Sequence, residues 1–163
     1  MNSIVVHYQE LALKGKNRPW FVSMLVRSIR ASLKGLDVRE VKPMIGRVVI
    51  RLGSDDELQW EEVRARLSCL PGIGNFSRAT HVAPSLDAIA TSVAAAVSGG
   101  PPRSFRVTAR RADKRFPIQS PEIERVVGRH VQAATGWRVD LSHPELHIRI
   151  EVLSADAFFH FKK

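Results

Sequence analysis

The chain of 163 residues holds a single cysteine, Cys69, which excludes an intramolecular disulfide and any Cys-x-x-Cys zinc or redox pair. Long apolar runs are also missing. The most nearly continuous one, LDAIATSVAAAV, is interrupted by Asp87, Thr91 and Ser92 and falls short of the roughly 20 residues that span a bilayer. The amino terminus, MNSIVVHYQE, has no basic stretch ahead of an apolar one and no small-residue cleavage site, so no signal peptide is expected. These features together predict a soluble, cytoplasmic protein with no membrane partner. Acidic residues are few beside basic ones, 16 against 25, and the formal charge of +9 favours a polyanionic partner such as nucleic acid. No internal repeat, low-complexity segment or G-x-x-x-x-G-K-[ST] phosphate loop is present. Ser98-Gly99-Gly100 is no substitute, because Pro101 and Pro102 follow at once.

What is present alternates between helix and strand patterns. SIVVHYQE has strand composition. PWFVSMLVRSIRASLKG then places Phe21, Leu25, Ile29 and Leu33 at four-residue spacing, on one helix face. Asn17 is the expected N-cap, Pro19 falls in the first turn and Gly35 suits the far end. Two strand-like runs, VREV and RVVIRL, are joined through Pro43 and Gly46. A second helix follows, carrying Trp60, Val63, Leu67 and Leu70, with Ser54 and Glu57 at the positions of a capping box. A strand around FSRATHV completes β-α-β-β-α-β, the order of a ferredoxin-like unit, over residues 1–78. A second cycle fills residues 79–163. Ser85 caps LDAIATSVAAAVS. A strand then carries Phe105, Val107 and Ala109 inward. Ser120 caps a helix with Pro121 first, Ile123, Val126, Val127, Val131 and Ala134 inward and Gly136 at its end. The strands WRVDL, ELHIRIEVL and AFFHFKK follow. The fold class is therefore α/β (α+β) in two lobes.

Charge gathers in one place. Six Lys or Arg and one acid, Asp113, lie between Arg103 and Arg115, next to Phe116. Such a run is either a solvated loop or, if the ring is exposed to stack on a splayed base, a single-stranded nucleic-acid site. Phe116 as a core anchor of the loop is the competing reading. A second basic turn, Lys14-Gly15-Lys16-Asn17-Arg18, precedes the first helix, where free N–H groups can bind an anion. A charged cap on a surface helix explains it equally well. His143 and His147 flank Pro144 without a third ligand, so no metal site is expected. Cys69 reads as a small buried hydrophobe, and Glu122 and Glu124 as charges suited to the positive end of their helix.

Taken together, HYQELALKGKNR at 7–18, PGI at 71–73, VTARRADKRFPIQSPEIERVVG at 107–128 and HPELHIRIEV at 143–152 resemble the amino-terminal half of tRNA 4-thiouridine synthetases, the tRNA sulfurtransferase family. The E-x-x-x-K-G-K-N-R and R-R-x-x-K-x-F runs are its most specific parts. The resemblance implies a ferredoxin-like domain followed by a THUMP domain, an RNA-binding module that holds the CCA end of tRNA while the first domain lies along the acceptor region. On matching positions, the resemblance makes Arg110, Arg111, Lys114 and Phe116 candidates at the tRNA end, and Lys14, Lys16, Asn17 and Arg18 candidates along the flanking backbone. Arg115, Ser120 and Arg129 complete the expected RNA-binding set. Arg129 stands where relatives often carry a second glycine after the one matching Gly128.

The family's adenylating domain carries an S-G-G-x-D-S loop, which this sequence does not reach. The expectation is a tRNA-binding module that serves thiolation, with no catalytic residue, cofactor or metal of its own and no activity alone. Beyond tRNA, the family suggests two partners: a separate adenylating or sulfur-transferring subunit and a second copy in a homodimer. The competing classes are a protein-interaction module and a complete small RNA-modifying enzyme with non-specific RNA affinity.

Overall fold

The four-residue apolar stripe of the first helix closes onto a sheet as its spacing requires. Leu25, Ile29 and Leu33 are buried and Phe21 is partly buried, in α1 (Arg18–Ser32) and at its C-cap, Leu33. The computed structural model describes residues 1–9, 17–101 and 103–162. Lys14 and Lys16 therefore lie outside the described residues. Two units result, Met1–Ala79 and Thr80–Lys163, with four helices among the described residues.

In the first unit, α1 packs with α2 (Glu57–Ser68) and the strands β1 (Ser3–Tyr8), β2 (Val38–Met44), β3 (Arg47–Leu52) and, as far as Ala79, β4 (Ile73–Val82). Strand order is β2-β3-β1-β4, every pair antiparallel, which is the ferredoxin-like arrangement. Its core combines Ile4, Val6, Val48 and Ile50 from the strands with Leu25, Ile29, Val63 and Leu67 from the helices. Pro43 lies inside β2 rather than in the turn, opposite Val48. An edge strand tolerates proline because no ladder bond is lost on its open side. The turn itself falls at Gly46, whose φ is 72°. In PGI, Gly72 has φ 88°, a region that costs an L-residue about 1–2 kcal/mol. Its carbonyl accepts the Gln9 N–H at 3.0 Å.

Two expectations for this unit are corrected. Asp56, not Ser54 with Glu57, caps α2, its carboxylate accepting the Leu58 N–H at 3.2 Å. Glu57 is drawn away by Arg78, 2.6 Å off, and Ser54 accepts from Gln59. Cys69 is exposed, because it is the C-cap of α2, off the buried stripe of Val63 and Leu67.

In the second unit, α3 (Leu86–Val97) and α4 (Ser120–Thr135) pack with β5 (Ser104–Arg111), β6 (Arg138–Val139), β7 (Leu146–Val152) and β8 (Ala157–Lys162). The order is β8-β7-β5-β6. β5 runs parallel to β6 and β7, and β8 is antiparallel to β7. Ser85 caps α3 through the Ala88 N–H at 3.2 Å, and Gly136 ends α4 at φ 69°. Three further readings shift here. The N-cap of α4 is Gln119, and Ser120 is the first helical residue. The buried stripe of α4 includes Ile123, Val127 and Val131, leaving Ala134 exposed. WRVDL yields only the two residues of β6, because the Asp140 carboxylate accepts the N–H groups of Ser142 and His143 and turns the chain.

Candidate nucleic-acid interface

The basic cluster sits where β5 gives way to α4. Alternation along β5 buries Phe105, Val107 and Ala109 and exposes Arg106 and Arg110. Beyond Arg111 the loop is built around the one acid in the run. Asp113, only 6% exposed, accepts the Arg115 backbone N–H at 2.9 Å and grips its guanidinium from Nε at 3.0 Å and Nη2 at 2.7 Å. Those bonds, together with one from Ser154, hold the Asp113 carboxyl far below the usual carboxylate range. Arg111 donates to the Phe116 carbonyl at 2.9 Å, closing the loop from its other side.

Phe116 itself is 7% exposed and belongs to the hydrophobic core of its unit. This corrects the stacking role: the ring anchors the loop and presents no face to a base. The charge cluster therefore divides in two. Arg111 and Arg115 brace the loop, although the Arg115 side chain remains 78% exposed. Arg110 and Lys114 are exposed and make no side-chain bond or ion pair among the described residues.

The remaining candidates are scattered along the chain. Ser120 is half-buried at the start of α4, beside the loop. Arg129 is exposed on α4, nine residues and so about 13 Å further along the axis, which separates it from the loop. Asn17 and Arg18 are exposed at the start of α1; Asn17 occupies the N-cap without a side-chain cap bond, and Arg18 reaches the Tyr8 hydroxyl at 3.5 Å.

Sequence reasoning passed over three residues. Trp20, 67% exposed, presents a large ring at the surface of the first turn of α1. Its signal was positional, since it falls outside the stripe of Phe21, Leu25, Ile29 and Leu33. Asp113 was counted only as a charge, and its role as the loop's keystone needs the folded turn. Glu124, assigned to its helix end, instead accepts the Ala109 N–H at 2.8 Å and ties α4 to β5. Glu122 pairs with Arg125. His143 and His147 do not converge: His147 bonds Thr108 at 2.8 Å, and among the described residues no cluster of three or more His, Cys, Asp or Glu side chains is placed to hold a metal ion. No helix among them is long and apolar enough to cross a membrane.

The Asp113 geometry sets an expectation for acid. A carboxyl whose folded pKa is depressed contributes stability that is fully present above its unfolded value, near 3.8, declines as pH falls below that value and is gone once pH has fallen through the lower folded value. The Asp113 side-chain carbon resonance should therefore show no protonation shift as pH is lowered to its ordinary midpoint. Ordinary titration there would mean that the Asp113–Arg115 grip does not hold in solution.

Comparison with known proteins gives matches along nearly the whole chain. Residues 3–77 match the ThiI ferredoxin-like domain and residues 83–159 the THUMP domain. A protein of Thermus thermophilus named "Probable tRNA sulfurtransferase" is 38% identical over 160 residues, covering 98% of this chain and 39% of that protein. A relative of the same name from Moorella thermoacetica is 35% identical over 97% of this chain and 40% of its own length. The chain thus spans about two-fifths of these curated relatives. Among solved structures, PH1313 from Pyrococcus horikoshii superposes with a TM-score of 0.83 at 30% identity, over 99% of this chain and 54% of the other. A 4-thiouridine synthetase in complex with RNA and bound ATP superposes at 0.76 and 25% identity, over 99% of this chain and 41% of that one.

Proposed function

Because the chain belongs to the ferredoxin-like and THUMP part of the tRNA sulfurtransferase family, we propose that it is a tRNA-binding module that recognises the acceptor region and the single-stranded 3′ CCA. The adenylation and sulfur transfer of 4-thiouridine formation are supplied by a catalytic domain outside these residues. The observation that carries this reading is the β5–α4 loop. It is fixed internally by Asp113, Arg115, Arg111 and Phe116 and holds Arg110 and Lys114 in solvent without competing partners. Such cations suit phosphates, because the braced backbone needs no ordering on binding and no ion pair within the protein has to be broken first. Support also comes from the RNA complex of a 4-thiouridine synthetase whose fold covers 99% of this chain.

With Phe116 buried, the loop reads the 3′ strand through its phosphates and shape. Lys14, Lys16, Asn17 and Arg18 are proposed to meet the flanking backbone; Ser120 and Arg129 are retained as contacts along α4. The test compares intact tRNA with the same tRNA lacking its CCA in titrations at one stated salt concentration. Trimming is expected to weaken binding about tenfold or more, the equivalent of roughly 1.4 kcal/mol. Equal affinity for the two would reduce the loop to a general polyanion patch and overturn the assignment of the 3′ end.

A further inference from the structure

The second unit packs its helices on one face of its sheet: Phe105, Val107, Ile148, Ile150, Val152 and Phe159 share a core with Ile89, Ile123 and Val127. Strand alternation sends the intervening residues to the opposite face, and the observed pairing places them in register. Arg106, His147 and Lys162 form one rung across β5, β7 and β8. Thr108, Arg149 and His160 form the next, and Arg110, Glu151 and Phe158 the third. The bond from Thr108 to His147 confirms that these residues share a side. Arg106, Arg110, Arg149 and Lys162 are all exposed. The one acid in the grid, Glu151, is buried and 3.9 Å from His160.

No two of these cations stand directly opposite each other, but four of them share the face with a single acid, Glu151 beside Arg110, and the grid is left with a net positive charge. Arg106 donates only to the Leu141 carbonyl, while Arg149 and Lys162 have no side-chain partner among the described residues. We infer that this face is an RNA-backbone track that continues the β5–α4 loop site, running from Arg110 through Arg149 and Arg106 to Lys162 and neutralised by successive phosphates of a bound strand. Charge complementarity selects the occupant: successive cations of the track, offset by one rung and one strand or by two strands, stand about 8–10 Å apart at their backbones, close enough for long side chains to meet successive phosphates, and the exposed part of the grid offers no apolar area for a protein partner. The inference rests on the RNA-binding reading above.

His147 reports on the track. The charged groups facing it are Arg106 on β5, Arg149 on its own strand and Lys162 on β8, with Arg110, Glu151 and His160 one or two rungs away. Partial burial first, and then the Arg149, Arg106 and Lys162 charges, push its imidazole below its ordinary value of 6.5. A phosphate seated among these cations favours the protonated ring, so RNA affinity gains an extra increment as pH falls toward that lowered value and levels off below it.

The test uses the whole chain carrying Arg149→Gln and Lys162→Gln, two exposed positions outside the loop. The slope of log affinity for tRNA against log salt should fall by about 1.4–1.8 for the pair, and the pH-dependent increment should shrink in His147→Gln. Independently of any variant, backbone amide resonances of residues 147–149 and 160–162 should move when a single-stranded oligonucleotide is added to the unaltered protein. An unchanged slope together with unmoved resonances, in a protein whose affinity does respond to loss of Arg110 and Lys114, overturns the track and leaves the loop assignment standing. A protein that binds no tRNA at all overturns both.

Discussion

Replacement of Phe116 by alanine is expected to destabilise the second unit by about 3–5 kcal/mol, the usual cost of emptying a phenylalanine site in a packed core. The ring is 7% exposed among Ile123, Val127, Phe105 and their neighbours, so its removal forfeits transfer free energy and leaves a cavity. The loss also reaches the loop, because the Phe116 carbonyl accepts from Arg111 and its N–H contacts the Asp113 carbonyl at 3.3 Å. Denaturant unfolding measures the effect. Phe116→Leu, which retains most of the volume, should recover much of the stability and of the tRNA affinity together. If alanine left the unfolding midpoint unchanged while tRNA binding fell, the ring would be serving the ligand rather than the core, and the anchor assignment would be wrong.

Neutralising Arg110 and Lys114 to glutamine carries the largest expected effect on binding. A hydrogen bond to a charged group contributes about 1.5–3 kcal/mol, so each lost phosphate contact weakens binding about tenfold or more, and the pair about 100-fold at low salt. Because neither side chain has a partner within the described residues, the double variant should keep the melting temperature of the parent. It should also lower the salt slope by about 1.4–1.8. Arg111 and Arg115 make the instructive contrast. Their guanidinium groups are bonded to Phe116 and Asp113, so neutralising them should reduce stability and affinity together. A tRNA affinity indifferent to Arg110 and Lys114 would remove the loop from the interface.

Much of this architecture was legible from spacing alone. The stripe Phe21, Leu25, Ile29 and Leu33 and the alternation of Phe105, Val107 and Ala109 record a solvent side and a core side directly, and the folded chain follows both. Caps were less legible because they depend on competition for a few polar groups. Ser54 and Glu57 had the spacing of a capping box, but Arg78 in β4, twenty-one residues beyond Glu57, claims the glutamate and Asp56 takes the cap. The loop was visible as a charge run, yet its division into bracing and free cations was not. That division is set by which guanidinium lies within reach of Asp113 and of the Phe116 carbonyl. Nor does a one-dimensional pattern reveal the cross-strand rungs, since Arg106, His147 and Lys162 become neighbours only through pairing register.

The brevity of β6 has a consequence for self-association. Only Ser104 and Phe105 of β5 are paired on that side, so the rest of the strand presents an unpaired edge of the kind that recruits strands from other molecules. Here α4 supplies the guard: the Glu124 carboxylate occupies the Ala109 N–H, the donor an incoming strand would need. The same helix that helps frame the loop thereby takes one edge donor out of reach of an incoming strand, and a charged side chain does so without adding another strand.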